Sequence, residues 1–194
     1  ELTNVSSKKG KGLGVVCGDF NHDNWPDIFV ANDTTPDFLL QNSGGQFFRE
    51  IGLMTGVGLS ESGQALSGMG CNTGDYDNDG DIDIIVTNWN QSPDLLRNEV
   101  GNRNHWVMFK TIGVKSNKSG IGSKIMVTTE NLTQHREVRS DGSYLSASDL
   151  RVHFGLGTDT VIKHVEIQWP SGQTDHHKNL SANQVYTLIE GQKI

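Results

Sequence analysis

The sequence lacks the features that mark membrane-spanning proteins and the common hydrolases. No apolar run approaches the ~18 residues that a membrane helix needs, so no membrane span is expected. No basic stretch followed by an apolar core marks a secretory leader. The serine motif G-x-S-x-G and the zinc motifs H-E-x-x-H and H-x-H are absent. A non-enzymatic protein is therefore expected.

Basic residues and cysteines are also scarce. The 16 Lys and Arg face 23 Asp and Glu, for a net charge of −7. Nucleic acid is not an expected partner, because its phosphates require clustered basic side chains. The two cysteines, Cys17 and Cys71, are too few for a disulfide framework and too far apart for a CxxC zinc site. Each cysteine lies just before an acidic segment, so the two can occupy neighbouring strands. They are therefore expected either to form a disulfide or to remain as two buried thiols.

An internal repeat organises the first half of the chain. GDFNHDNWPDIFVAN (Gly18–Asn32) aligns with GDYDNDGDIDIIVTN (Gly74–Asn88) at an offset of 56 residues. The match continues where FLLQN at 38–42 lies over DLLRN at 94–98. A fixed period of this size is typical of repeated supersecondary units such as propeller blades. The 23 glycines between short apolar runs favour many turns and short strands, without helical periodicity in the first 100 residues.

The second half has a different texture and predicts a second all-β domain. Val165, Ile167 and Trp169 alternate with polar residues, which predicts a strand with one apolar face. Further strands are predicted at His105–Ile112, Lys124–Thr129, Gln134–Arg139 and Val185–Ile189. The chain is thus expected to be all-β, with two propeller-type blades in residues 1–101 and a sandwich or open barrel in residues 102–194.

Each repeat begins with an acidic loop whose oxygen-bearing side chains fall at positions 1, 3, 5 and 9. These residues are Asp19, Asn21, Asp23 and Asp27 in the first loop, and Asp75, Asp77, Asp79 and Asp83 in the second. Ca²⁺ takes about six to eight oxygens, which a tight loop supplies from alternate residues and a backbone carbonyl. Crowded carboxylates repel one another unless a cation joins them. The loops therefore predict two calcium sites, the second the tighter because it offers one more carboxylate.

Positions 6, 7 and 12 separate these loops from other calcium motifs. Position 6 must turn sharply, which suits Gly80 and is tolerated by Asn24. Position 7 is held by Trp25 and Asp81, whose backbone carbonyls are the expected ligands. An EF-hand or a dockerin would need a helix after the loop, and an EF-hand also an acid at position 12. Position 12 lies in a β-branched run in both repeats, so both alternatives fail.

These residues carry a resemblance to a known family. The two repeats resemble the FG-GAP/VCBS repeats of integrin-α-type propellers, which bind Ca²⁺ in such loops. The second half is similar to the ASPIC/UnbV domain of bacterial proteins and the cartilage acidic protein family. The stretches that carry this second likeness are NHWVMFK, SGIGSKIMV, REVRSDGSYLSASDLRVHFGLG and VEIQWPSG. The resemblance implies a secreted or periplasmic protein, with a propeller followed by a β-domain of no known chemistry.

Two blades cannot close a ring, because propellers need about four to eight. The sequence starts at Glu1 rather than Met and is interpreted as a mature or excised segment. Either it is part of a longer propeller, or copies self-associate into an oligomer or filament by strand addition. The segment Leu2–Ser7 is a candidate added strand. Six N-x-S/T sequons are glycosylation candidates in an extracellular chain, at Asn4, Asn32, Asn90, Asn117, Asn131 and Asn179.

The expected function is a calcium-stabilised adhesion or assembly module that contacts extracellular proteins or glycans. One alternative is a carbohydrate-binding module that uses Trp106 or an exposed Trp89, although Trp89 also fits a core position. A second alternative is a hydrolase fragment with acids outside the loops, the candidates being Glu137, Asp141 and Asp149. His176 and His177 follow a turn and are expected to be exposed, while the histidines His105, His153 and His164 are expected to pack in strands.

Overall fold

The structure of the protein, a computed structural model, describes residues 8–77, 79, 81–99, 104–141 and 149–194. These residues form two compact units. Unit 1 is drawn from residues 8–21, 25–77, 79, 81–99 and 141, and unit 2 from residues 22–24, 104–140 and 149–194. The domain boundaries 1–101 and 102–194 stay a prediction, because compactness alone does not establish independent folding.

The first sheet of unit 1 is an antiparallel meander whose strand order follows the chain. Its strands are β1 (Gly12–Gly18), β2 (Asp27–Asn32), β3 (Phe38–Ser43) and β4 (Phe47–Glu50). Gly44 and Gly45 have positive φ and turn the chain between β3 and β4. A single helical turn, α1 (Gly52–Thr55), follows β4. The sequence did not predict it, since four residues are too few to show a helical period.

The second sheet of unit 1 reproduces the first at the offset of the sequence repeat. Its strands are β5 (Gly68–Gly74), β6 (Asp83–Asn88) and β7 (Asp94–Leu96). β5 and β6 begin and end 56 residues after β1 and β2. The sequence repeat is therefore a structural repeat, with one acidic loop between the first two strands of each sheet.

The two sheets of unit 1 share one apolar core, and β1 contacts β5. The core side chains include Val16, Phe29 and Ala31 from the first sheet and Cys71, Ile84 and Val86 from the second. A Cβ on Gly14 would lie 2.9 Å from the backbone nitrogen of Cys71, so only glycine permits this approach. First strands that pack together in this way are typical of the inner strands of adjacent propeller blades.

The structure contradicts a disulfide between Cys17 and Cys71, which are not joined. Side chains alternate along β1, so Val16 lies in the core while Cys17 is exposed. Cys71 is 1% exposed in the core of the same unit. The alternative of two buried thiols is also wrong, since only Cys71 is buried.

Unit 2 consists of two sheets that face each other. One has the order β10-β9-β12-β13 and is antiparallel, and the other has the order β11-β8-β14 with β8 and β14 parallel. The strands are β8 (His105–Ile112), β9 (Lys124–Thr128), β10 (Thr133–Glu137), β11 (Val152–Gly157), β12 (Val161–Gln168), β13 (Thr174–Ser181) and β14 (Gln184–Ile189). Their facing side chains form the core, among them Phe109, Ile125, Phe154, Val165, Ile167 and Leu188. The predicted all-β fold, with two repeated sheets and a sandwich-like second half, is confirmed.

The expected exposure of the two histidines after the turn is right for His176 and wrong for His177. Both residues lie in β13. His176 is exposed, whereas His177 is 6% exposed and packs inward. The run Thr174–Ser181 is largely polar, so its alternation gave only a weak strand signal.

A buried carboxylate fixes the loop after β8. Glu190 accepts hydrogen bonds from the backbone N–H groups of Val114, Lys115 and Ser116, at 2.6 to 2.8 Å. The Ser171 hydroxyl donates to its other oxygen at 2.5 Å. Burial raises the pKa of Glu190, but these hydrogen bonds prevail and lower it to about 2. The carboxylate therefore stays ionised through the physiological pH range.

Candidate metal centre

The second acidic loop, between β5 and β6, brings three carboxylates together. One oxygen each from Asp75, Asp77 and Asp83 lies within 4.8 Å of the other two. Asp75 and Asp83 are buried and Asp77 is partly buried. In the part of the chain that the structure describes, no other group of three His, Cys, Asp or Glu meets this spacing. The geometry thus brings together three of the four carboxylates predicted for this site.

Hydrogen bonds within the second loop hold its acids in a turn. Oδ1 of Asp77 accepts the backbone N–H of Asp79 at 3.3 Å, and Oδ1 of Asp79 accepts that of Asp81 at 2.9 Å. Acidic side chains that bond the backbone two residues on form such turns readily. Asp79 is exposed and Asp81 is buried. Gly80, predicted to turn the loop, lies outside the described residues.

The position-9 aspartates have a structural role that the sequence analysis missed. The two oxygens of Asp83 accept the backbone N–H groups of Tyr76 and Asn98, both at 2.8 Å. Asp27 repeats this arrangement in the first loop. Its two oxygens accept the backbone N–H groups of Phe20 at 3.2 Å and Asn42 at 2.8 Å. Each position-9 carboxylate therefore ties its loop to the region of the third strand in its sheet, and an acceptor oxygen retains a second lone pair for a cation.

Two equivalent asparagines complete these ties. Nδ2 of Asn42 donates to the carbonyl of Pro26 at 3.1 Å. Nδ2 of Asn98 lies 3.3 Å from the equivalent carbonyl, that of Ile82, and donates at 2.6 Å to the carbonyl of Phe20 in the first loop. The sequence does contain a sign of this role, because both repeated segments, FLLQN and DLLRN, end in asparagine.

Asn32 does not fit as a glycosylation acceptor. It is 1% exposed, and its Nδ2 donates to the carbonyl of Pro36 at 2.8 Å. Asn88 makes the equivalent bond to the carbonyl of Ser92 at 3.1 Å, so this asparagine belongs to the repeated framework. The other described sequon asparagines are exposed, namely Asn90, Asn117, Asn131 and Asn179. Asn4 lies outside the described residues.

The first acidic loop, between β1 and β2, keeps its predicted residues in similar positions. Asp19 and Asp27 are buried at 1% and 2% exposure, and Asn21 is partly buried. Asn24 has a φ of 76°, which confirms that position 6 takes the left-handed conformation. Asp23 is partly buried. It lies in the short segment His22–Asn24, which is assigned to unit 2 rather than to unit 1. Trp25 is 44% exposed, which agrees with a ligand role for its backbone carbonyl, because that role does not require its side chain to point into the loop.

Charges around the second loop partly balance one another. Nε of Arg97 lies 2.7 Å from Oδ2 of Asp77 and 2.8 Å from Oε1 of Glu99. Arg97 is half-exposed, so each pair contributes about 0–1 kcal/mol. One positive side chain does not neutralise the group of three carboxylates in this loop, which leaves net negative charge at the site.

A partly buried aspartate, Asp37, lies directly before β3. Oδ1 of Asp37 accepts the backbone N–H of Asn32 at 2.7 Å. Burial raises the pKa of Asp37 to about 6, an effect that this hydrogen bond opposes and the negative charge of Asp94 reinforces. The carboxyl group of Asp37 is therefore mostly neutral below about pH 6 and mostly ionised above it in the folded protein.

The structure shows the surroundings of the residues that were named for carbohydrate binding and for hydrolysis. Trp89 is 65% exposed, so the interpretation of Trp89 as a core residue was wrong. Trp106 is partly buried and stacks with His153 at a centroid separation of 6.1 Å. Of the acids proposed for hydrolysis, Asp149 pairs with Arg151 at 2.7 Å and Glu137 is exposed on β10. Among the described residues, no helix is long and apolar enough to span a membrane.

Comparison with known families agrees with this architecture. The FG-GAP-like repeat model matches residues 19–86, which include both acidic loops, and the ASPIC and UnbV model matches residues 113–194. The predicted order, FG-GAP-like repeats followed by an ASPIC/UnbV segment, is thereby confirmed.

Among individual proteins, the chain is similar to cartilage acidic protein 1. It is 28% identical to the Homo sapiens protein over 190 residues, which cover 91% of this chain and 27% of the relative. It is 30% identical to the Mus musculus protein over 173 residues, which cover 82% of this chain and 25% of the relative. The chain therefore spans about a quarter of the length of these curated relatives.

Proposed function

We propose that this chain is a calcium-binding, non-catalytic module of an extracellular protein. The observation that carries the proposal is the group of carboxylate oxygens from Asp75, Asp77 and Asp83, in a loop whose counterpart lies 56 residues earlier. Two of the three acids are buried, and buried carboxylates held close together are costly unless a cation compensates them.

The donor set fits calcium better than other common divalent ions. Every candidate ligand atom is an oxygen, whereas structural Zn²⁺ sites are built mainly from histidine nitrogen and cysteine sulfur, so the loops do not suit Zn²⁺. Mg²⁺ requires a tight octahedron, whereas Ca²⁺ accepts a larger and more flexible shell. In the second loop we assign Asp75, Asp77, Asp79 and Asp83 as side-chain ligands and the carbonyl of Asp81. In the first loop we assign Asp19, Asn21, Asp23 and Asp27, with the carbonyl of Trp25.

Thermal unfolding with and without EDTA tests the proposal. Calcium bound only by the folded protein raises the melting temperature, so EDTA is expected to lower it. The exposed Asp79 and its counterpart Asp23 form a matched pair for ranking the sites. Asp79→Ala is expected to weaken calcium binding more than Asp23→Ala, since the second loop carries more ligand charge. A melting temperature unchanged by EDTA would refute calcium binding, and equal losses would refute the ranking.

An extracellular location has two supports. Calcium modules outside the cell function with affinities of about 0.1–1 mM, which extracellular calcium saturates. The relatives also carry a name that refers to cartilage. The four exposed sequons then become glycan sites in a eukaryotic secretory host. Intact mass of the secreted chain tests this, and a mass equal to that of the bare polypeptide would contradict it.

Association through the sheet faces of unit 1 belongs to the same proposal. Leu13 and Val15 on β1 are 49% and 43% exposed, and Ile85 and Leu95 in the second sheet are 43% and 44% exposed. Apolar side chains on a sheet face favour cover by another sheet. Either further blades of a longer chain or a second copy would supply it. For this chain by itself we expect self-association, and a stable folded monomer in light scattering would contradict that expectation.

Glycan binding is the second candidate. Tyr76 and Trp89 are 69% and 65% exposed, and exposed aromatic rings of this kind stack on sugars. A glycan array separates the two functions, because Trp89→Ala would abolish sugar binding and leave calcium affinity unchanged.

A further inference from the structure

The outer face of the four-stranded sheet of unit 2 carries two histidines at ligand spacing. His164 lies on β12 and His176 on the adjacent strand β13. Nε2 of His164 lies 3.1 Å from Nδ1 of His176, and the rings stack at a centroid separation of 5.2 Å and an angle of 15°. Neither side chain contributes to the acidic loops of unit 1.

Strand register explains why these side chains meet. Glu166 is directly opposite His176 in the β12–β13 pair, and His164 is two residues before Glu166 on the same face. The inward neighbours Val165 and Ile167 are fully buried, which fixes the register. His164, Glu166 and His176 are therefore presented outward together by a well-packed sheet.

Glu166 adds a carboxylate to the pair. Its Oε2 lies 3.8 Å from Nδ1 of His176, while its Oε1 accepts a hydrogen bond from Nε2 of Gln168 at 3.0 Å. Carboxylates that bind metals commonly carry such a hydrogen bond from a neighbouring side chain. Glu166 is 24% exposed and His176 52% exposed, so a solvated ion has access to both.

We propose that His164, His176 and Glu166 form a metal site separate from the two calcium loops, specific for a nitrogen-preferring divalent ion such as Zn²⁺. Zn²⁺ binds imidazole nitrogen at about 2.0–2.1 Å, so two such ligands at ordinary coordination angles lie about 2.9–3.4 Å apart. The observed 3.1 Å falls in this interval. Zn²⁺ would displace the proton that the two imidazoles share in their hydrogen bond, and water would complete the shell. The three groups do not all lie within 4.8 Å of one another, so the side chain of Glu166 has to rotate toward the histidine pair to become a third ligand.

The chemistry of this site separates it from the acidic loops. Imidazole suits Zn²⁺, Cu²⁺ and Ni²⁺, whereas Ca²⁺ takes oxygen ligands. Lys178 lies opposite His164 in the strand pair, and its charge opposes that of the ion. The carboxylate of Glu166 offsets that charge. Calcium in excess is expected to fill the loops and leave the histidine site available.

The test is calorimetric titration of the whole chain with Zn²⁺ in millimolar Ca²⁺. We expect saturable binding of one ion in the micromolar range. His164→Gln and His176→Gln should each weaken it about tenfold or more, and Glu166→Gln less. His135, exposed on β10 of the same sheet, provides the matched control, and His135→Gln should leave the affinity unchanged.

Two results would overturn the proposal. One is the absence of saturable Zn²⁺ binding by the wild-type chain, a measurement that does not depend on any variant. The other is equal Zn²⁺ affinity in His176→Gln and the wild type. All the substituted side chains lie on the outer face of the sheet, and circular dichroism of each variant establishes that its fold is retained. Addition of excess Ca²⁺ should not displace the bound Zn²⁺, and displacement would place the ion in the acidic loops instead.

Discussion

Substitution of Asp83 should reveal a structural role that is separate from calcium binding. Asp83 is 2% exposed, and its two oxygens accept the backbone N–H groups of Tyr76 and Asn98, both at 2.8 Å. A hydrogen bond to an ionised group contributes about 1.5–3 kcal/mol, so Asp83→Ala removes about 3–6 kcal/mol. That is a large part of the ~5–15 kcal/mol that stabilises a typical domain. Asp83→Asn keeps one acceptor oxygen and should cost about half as much.

The assay is urea unfolding in EDTA, where calcium makes no contribution. Asp79→Ala is the control, because Asp79 is exposed and, among the described residues, its side chain accepts one hydrogen bond, from the backbone N–H of Asp81. We expect Asp83→Ala to lower the midpoint strongly in EDTA, and Asp79→Ala to lower it only slightly while weakening calcium binding. Equal midpoints for Asp83→Ala and the wild type in EDTA would refute the proposed backbone ties.

Three further predictions concern stability. Because the folded pKa of Asp37 is about 6 and its ordinary value is 3.8, its contribution is present at low pH and is lost as the pH rises through 6. Asp37→Asn should therefore stabilise the protein by about 1–2 kcal/mol at pH 8, after solvent screening, and by little at pH 4, and a pH-independent effect on thermal melts would contradict this. Gly14→Ala brings a Cβ to 2.9 Å from the backbone of Cys71 and should cost about 1–3 kcal/mol in urea unfolding, whereas an unchanged midpoint would disprove the close contact. For Glu190 the dependence of stability on pH is reversed, because its pKa is lowered from 4.5 to about 2 in the folded protein. Its contribution to stability is present above pH 4.5 and is lost as the pH falls towards 2. Glu190→Gln should therefore lower the melting temperature much more at pH 7 than at pH 2.

The repeated part of the fold could be predicted because its determinants are local. Each acidic loop is followed directly by an apolar run, 28–30 or 84–86, and the 56-residue offset appears directly in the sequence. The strand His105–Ile112 was predicted with its exact bounds for the same reason, since an apolar run ends at a glycine. The left-handed conformation of Asn24 likewise follows from its own side chain and its place in the loop.

The remaining features depend on which strands become neighbours. The oxygens of Asp27 and Asp83 bond residues 15 positions further along the chain, and the path of the third strand determines those partners. The proximity of His164 and His176 follows from the register of β12 and β13. The exposure of Cys17 depends on which face of β1 meets the second sheet. Each of these is a non-local consequence of packing, and local sequence patterns do not reveal it.

The most direct test of the calcium proposal is a calorimetric titration of the metal-stripped chain with Ca²⁺. We predict saturable binding, with the tighter phase weakened by Asp75→Asn and by Asp79→Ala. Asp75 is buried within the group of three carboxylates, so even the loss of one charge there should weaken the second site about tenfold or more. The absence of saturable binding at millimolar Ca²⁺, or unaltered binding in both variants, would contradict the assignment of this loop as a calcium site.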